Sequence, residues 1–151
     1  MVKQVGEIQA RDIKKKELMK KIIYNTLIPI KGYLAMAMWP FVFARKDARG
    51  LTNEDINHES IHCYQQIEVM VASAIIIGLL VIFAGISPWW FVLVPFMFYL
   101  LYVLEYFIRS IVEGNMKKAY RKIATEQEAY GNEENLEYLK NRKWFAWLSY
   151  Y

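Results

Sequence analysis

The chain has 151 residues and two histidines, and they stand four positions apart in the stretch Asn57-His58-Glu59-Ser60-Ile61-His62. On a helix, residues i and i+4 lie one above the other on one face. His58 and His62 can therefore offer one ring nitrogen each to a single metal ion. Glu59 sits about 100° further round the helix, within reach of a water activated by that metal. Two imidazole ligands with an adjacent carboxylate form the constellation for metal-assisted hydrolysis, the carboxylate being the general base. Gln65 and Val69 fall on the same face as the histidines, and Cys63 falls well off it. The five-residue pattern also arises by chance, with both rings satisfied by ordinary hydrogen bonds. Its helical context, and its use of both histidines in a histidine-poor chain, favour a zinc site.

A catalytic zinc needs three protein ligands plus water. The chain has no further histidine, and its single cysteine, Cys63, points away. The third ligand must then be a carboxylate, and Glu113, Glu126 and Glu128 are the candidates at a suitable depth. A helix over 115–131 would bury Met116, Tyr120, Ile123, Gln127 and Tyr130. On it Glu126 lies about 60° from Ile123 and shares a face with Tyr130, whereas Glu128 lies about 140° away on the outer side. The bland alternative for Glu126 is a surface ion pair with Lys122 one turn back. Tyr130, or Tyr64 in its place, is the candidate donor to an oxyanion.

The elements that must carry these groups are written in the charge and hydropathy pattern. Hydrophobic residues make up 56% of the chain and aromatics 16%, a share that points to a membrane protein. All nineteen Lys and Arg lie at or before Arg49 or at or after Arg109. The gap between them holds the longest apolar runs. Thr52 reads as a helix N-cap with Asp55 at the capping-box position. That helix, 52–86, carries the histidines early and then turns almost wholly apolar from Val69, long enough to cross a bilayer core. Ser87-Pro88 breaks it, and Trp89-Trp90 stand where an interfacial aromatic belt would lie. A second apolar run, 89–112, returns, interrupted by Glu105, Arg109 and Ser110. Glu105 and Arg109 can pair at i,i+4, and Glu68 should lie at a similar depth on the first span; the simplest role for these charges is a polar patch joining the hairpin.

Residues 1–25 read as a basic amphipathic helix on an anionic membrane face, not as a secretory signal. Residues 27–45 are apolar but punctuated by Pro29, Gly32 and Pro40. They read as two short strands around Trp39-Pro40, with a third membrane span as the alternative. Residues 132–151 end in a Trp/Tyr-rich interfacial tail preceded by Lys140, Arg142 and Lys143. The fold class expected is mainly α and integral to the membrane, in one domain over 1–151. It is a transmembrane helical hairpin that carries the His-Glu-x-x-His helix at its cytoplasmic face, with a short β-hairpin before it. Basic residues at both outer ends and none in the turn place both termini in the cytoplasm. Nucleic acid is not an expected partner, because the basic segments flank a membrane and carry no binding motif.

His58-Glu59-x-x-His62, followed on a later helix by Glu126-x-x-Ala129, resembles the gluzincin pattern. It is most similar to membrane zinc metallopeptidases of the HtpX and CAAX-prenyl-protease type. The resemblance implies that Glu126 is the third ligand, that Zn²⁺ is the cofactor and that peptide bonds are hydrolysed. In that pattern an Asp four residues after the glutamate orients a ligand histidine. Here the position holds Tyr130, which leaves the orienting role to another group, with Gln65 as the candidate. The chain also resembles, from about Pro29 onward, a group of small bacterial membrane proteins with His-Glu-x-x-His-x-x-Gln-Gln followed by Glu-x-Glu-Ala-Tyr. The expected location is thus a bacterial cytoplasmic membrane and the expected substrate a membrane or membrane-proximal protein. The competing reading is a non-catalytic membrane protein whose zinc site is structural or sensory and whose basic ends recruit a partner.

Overall fold

The computed structural model describes residues 21–151, so the expected basic helix at 1–25 lies outside the described residues as far as position 20. Length alone suggested one domain; the chain divides into two compact units, Met1–Leu51 and Thr52–Tyr151.

The described part of the first unit is a three-stranded sheet. Strands β1 (Ile22–Asn25), β2 (Ala35–Met38) and β3 (Phe41–Arg45) lie in the order β1-β3-β2. β2 and β3 form an antiparallel hairpin around Trp39-Pro40, with Ala35 opposite Ala44 and Met38 opposite Phe41. The interrupted apolar segment is therefore strand, not a third span. Alternation decides it: Ala37, Val42 and Ala44 are buried while Phe41 is exposed, a two-residue period that a helix would not produce. Residues 22–25, expected as the end of the basic helix, instead run parallel to β3. Ile22 and Ile23 are β-branched and suited to a pleated surface. Asn25 then turns the chain, its Oδ1 accepting the N–H groups of Leu27 (2.8 Å) and Ile28 (2.7 Å). The buried Arg45 guanidinium closes the unit, gripping Asp47 with two hydrogen bonds and donating to the Pro29 carbonyl.

The second unit is built on helix α1, Asn53–Ala84. The capping box forms as its residues require: Asp55 N–H donates to Thr52 Oγ1 and Thr52 N–H donates to Asp55 Oδ2 (2.7 Å). The helix ends at Gly85, which takes the left-handed conformation (φ 65°) that a residue without Cβ adopts freely. A 3-10 segment, Pro88–Phe96, precedes helix α2, Met97–Glu113. Together α1 and the stretch Pro88–Glu113 are two helices long and apolar enough to cross a membrane.

The helix expected over 115–131 is broken in two: α3 (Met116–Arg121) and α4 (Ala124–Asn132). Ile123 between them is extended (ψ 131°) and wholly buried. The break frees the Ala124 N–H, and Glu105 of α2 accepts it at 3.0 Å. Met116, expected in the buried stripe, is exposed. After the short helix α5 (Tyr138–Asn141), a second 3-10 segment, Ala146–Tyr150, packs against α4. There Gln127 donates to the Tyr150 carbonyl and Asn132 to the Tyr150 hydroxyl, both at 3.1 Å. The tail is thus part of the fold as well as a carrier of exposed aromatics such as Trp144. Of the charges expected to join the hairpin, Glu105 and Arg109 pair at i,i+4 as expected, and Glu68 binds elsewhere. Glu105 takes Arg109 Nε (3.3 Å) and the Tyr151 hydroxyl (2.9 Å), whereas Glu68 takes Arg142, the Phe145 N–H and Trp147 Nε1.

Candidate metal centre

Helix α1 changes character along its length. Its first half buries polar groups: Asn57, His58, Glu59, Ser60, His62, Gln65, Gln66 and Glu68. Asn57, His58, His62 and Gln65 meet α4, which is held at both ends by side chains from other helices. At its N-terminus the Glu105 carboxylate accepts the Ala124 N–H, a negative group where the helix dipole favours one. At its C-terminal end Asn57 Nδ2 donates to the carbonyls of Asn132 (3.1 Å), Glu133 (2.9 Å) and Asn135 (3.1 Å). With both ends pinned, the position of Glu126 on the first turn follows.

The three expected ligands converge. His58, His62 and Glu126 are all buried and present one ligand atom each within 4.8 Å of one another. His58 Nε2 lies 3.1 Å from His62 Nε2. Glu126 Oε1 lies 3.4 Å from His62 Nε2, and Glu126 Oε2 lies 3.6 Å from His58 Nε2. Ligands about 2.0–2.1 Å from a tetrahedral zinc stand roughly 3.3–3.4 Å apart, so the spacing matches. The proton positions agree. His58 Nδ1 faces the Glu133 carboxylate at 2.8 Å, and His62 Nδ1 faces Gln65 Oε1 at 2.8 Å. Both partners are acceptors, so each Nδ1 is the donor and each Nε2 is the nitrogen left to face Glu126 or a metal ion. Positive charge is favoured between them: burial opposes it, but the Glu126 and Glu59 carboxylates outweigh that and raise the His62 pKa to about 9, so the space between the Nε2 atoms and Glu126 suits a proton or a metal ion. Glu126 Oε2 is buried and has no hydrogen-bond partner, and it faces His58 Nε2. Two imidazoles and one carboxylate are the donor set of an open zinc site. The residues fit a divalent metal ion.

Electrostatics favour an anionic Glu126. Burial opposes its charge, but the His62 and His58 rings and the Tyr102 hydroxyl, which donates at 2.7 Å, outweigh that and hold its carboxyl well below the usual range. Glu59 is also buried, and its charge acts on His62. Tyr130 lies edge-on to the His58 ring with centroids 4.7 Å apart, is 38% exposed, and has the Arg121 guanidinium over its own ring. Burial and the Glu126 charge push its phenol up, so it stays a neutral donor. The Tyr120 hydroxyl interacts with both Tyr130 and Glu126.

The other candidates fall elsewhere. Glu113 faces Lys118 at 3.8 Å. Glu128, expected on the outer side, is instead completely buried, with Arg142 Nε at 2.5 Å. Tyr64 is exposed. Three groups around the ligands escaped the sequence reading. Glu133 had a signal: it follows Glu126 by seven residues, two helical turns, and so shares its face. Asn57 and Tyr102 had none, because the groups they bind come from remote parts of the chain. Comparison with protein-family models, curated proteins and solved structures gave no match.

Proposed function

We propose that the chain is an integral membrane zinc metallopeptidase acting at the cytoplasmic membrane surface. One observation carries the reading: the convergence of His58, His62 and Glu126 beside the buried Glu59. A metal ion held by those three side chains supplies a Lewis acid that polarises a carbonyl and acidifies water. Glu59 takes the proton of the attacking water and passes it to the leaving amine. The half-exposed Tyr130 donates to the oxyanion. Glu133 and Gln65 hold the two rings in the tautomer that leaves Nε2 open. The gluzincin resemblance points the same way, with Gln65 and Glu133 in the orienting role that Tyr130 cannot fill.

Burial supports the membrane assignment. The core helix of a soluble protein is mostly buried, but the apolar windows of the two long helices are only 17% and 6% buried. Ile75, Ile76, Phe83, Leu104, Phe107 and Ile111 all face outward, and such a surface suits hydrocarbon. His62 precedes Val69 by seven residues, so the metal centre would lie about 10 Å outside the apolar span. That distance selects the membrane-proximal segment of a protein substrate. The basic flanks put this side in the cytoplasm by the positive-inside rule.

The test uses the full chain in detergent, with zinc content and turnover of a quenched peptide measured on wild type and Glu59→Gln. The expected result is equal zinc in both and turnover in wild type alone. Equal turnover in the two sinks the peptidase reading. Zinc in both with no turnover in either favours the structural or sensory site.

A further inference from the structure

A second buried cluster adjoins the metal centre and has no role in the chemistry above. Glu128 and Arg142 are at its heart, and Glu68 lies beyond them. Arg142 comes from the C-terminal segment and bridges the two carboxylates. Glu128 is completely buried, yet each oxygen has two donors. Oε1 accepts from Arg142 Nε (2.5 Å) and the Tyr138 hydroxyl (2.8 Å), and Oε2 accepts from Gln65 Nε2 (2.9 Å) and Arg142 Nη2 (3.1 Å). With both oxygens taken by donors, the Glu128 carboxyl presents only acceptors to its neighbours.

That fixes Gln65. Its amide nitrogen meets two acceptors, Glu128 Oε2 and the Thr125 carbonyl (3.1 Å). The amide therefore cannot turn over without setting its oxygen against both of them. Its oxygen must face His62 Nδ1, and an oxygen there requires the proton on Nδ1, which makes Nε2 the nitrogen available to a metal ion. We propose that Glu128, clamped by Arg142, is a positioning residue for the metal site: it sets the orientation of the Gln65 amide and, through it, the tautomer of ligand His62. The inference rests on His62 being a ligand, as proposed above, and it ties the C-terminal segment to metal affinity through Arg142. A merely structural role for the cluster would give Glu68 and Glu128 the same standing. The relay separates them, because Glu68 touches Arg142 and the tail but has no part in the Gln65 contacts.

The experiment measures zinc affinity by chelator competition on the full chain in detergent, with thermal unfolding alongside. Glu128→Gln frees the Gln65 amide to turn and should weaken zinc binding about 10–100-fold. Glu68→Gln should lower the unfolding temperature while zinc affinity stays within about threefold of wild type, below that 10–100-fold range. The decisive comparison is a double-mutant cycle. Once Gln65→Met has removed the amide, adding Glu128→Gln should change zinc affinity by no more than about threefold, because the effect of Glu128 runs through Gln65. Wild type that binds zinc, with Glu128→Gln unchanged, with Glu68→Gln weakened equally or with Glu128→Gln as damaging without the Gln65 amide as with it, overturns the relay and leaves the metal centre standing. Wild type that binds no zinc overturns both.

Discussion

Glu126→Ala is the sharpest perturbation of the metal centre. Glu126 is 2% exposed, its oxygens stand 3.4 and 3.6 Å from the two Nε2 atoms, and one of them has no hydrogen-bond partner. The substitution removes one of the three proposed ligands and also strips the Tyr102 hydroxyl of its acceptor. Loss of a group that only orients a ligand costs about 10–100-fold in metal affinity. Loss of a ligand itself must exceed the upper end, which is more than about 2.7 kcal/mol. At a zinc concentration about 100 times the wild-type Kd, binding stabilises the native state by about 2.7 kcal/mol. For a chain of this length that raises the unfolding temperature by roughly 5–11 °C. The variant at the same zinc concentration gains about 0.4 kcal/mol or less, a shift of about 1–2 °C at most. Thermal unfolding in detergent with and without zinc reads both. A wild-type-sized shift in Glu126→Ala, or a larger loss in Glu128→Ala or Glu113→Ala, refutes the ligand assignment.

The metal-free protein gives an independent reading of the same carboxylate. Its folded pKa lies below the ordinary value of 4.5. A depressed carboxyl contributes stability that is fully present above its unfolded pKa and lost as pH falls through the folded value. Wild type should therefore lose stability on acidification below about pH 4.5, and Glu126→Gln should lose less over that window. Parallel acid profiles would show that Glu126 carries no such charge interaction.

Three further outcomes follow from the geometry. Tyr130→Phe keeps the ring against His58 and removes only the hydroxyl, so peptide turnover should fall about 10²–10³-fold with zinc affinity unchanged; undiminished turnover removes Tyr130 from the chemistry. Arg142→Met leaves Glu68 and Glu128 buried without their shared cation and should cost roughly 3–5 kcal/mol, read as a large drop in unfolding temperature; a drop of a degree or two would show that the triad is not a buried ion cluster in solution. Ile76→Arg separates bilayer from water: a surface substitution in water costs within about 0.5 kcal/mol, but an arginine at the centre of a spanning helix costs about 2.5–3.5 kcal/mol. Wild type should resist carbonate extraction from membranes and the variant should integrate poorly; equal behaviour removes α1 from the membrane.

What the sequence made legible was whatever depends on near neighbours. The capping box at Thr52 and Asp55 spans three residues, and the pair His58 and His62 spans one turn. Both could be read because a regular helix fixes their relation. The strands at 35–45 were legible from their aromatic content and the Gly and Pro that punctuate them, beside a third span as the alternative, but the parallel partner at 22–25 was not: its helical periodicity gave way to pairing with β3, a contact some twenty residues away in the chain. Tyr102 on Glu126 and Asn57 on the end of α4 were invisible for the same reason, and so was Arg142 between two carboxylates.

Glu128 shows how one broken assumption propagates. Its outward placement was an angle counted from Ile123 through a continuous helix. Ile123 is extended, so the count restarts at Ala124, and Glu126 and Glu128 both enter the interior, one toward the histidines and one toward Arg142. Burial alone could not have told ligand from support here. In α1 the usual sorting is inverted, with polar residues buried in its first half and large apolar ones exposed in its second. For such a helix the interior is where charge is held, and what separates the two glutamates is their company. Four donors surround the oxygens of Glu128, whereas Glu126 keeps one oxygen free of donors, 3.6 Å from His58 Nε2, and the other 3.4 Å from His62 Nε2. An acceptor already saturated by protein cannot also bind a cation, so the carboxylate suited to a metal ion is the one whose hydrogen bonding is incomplete.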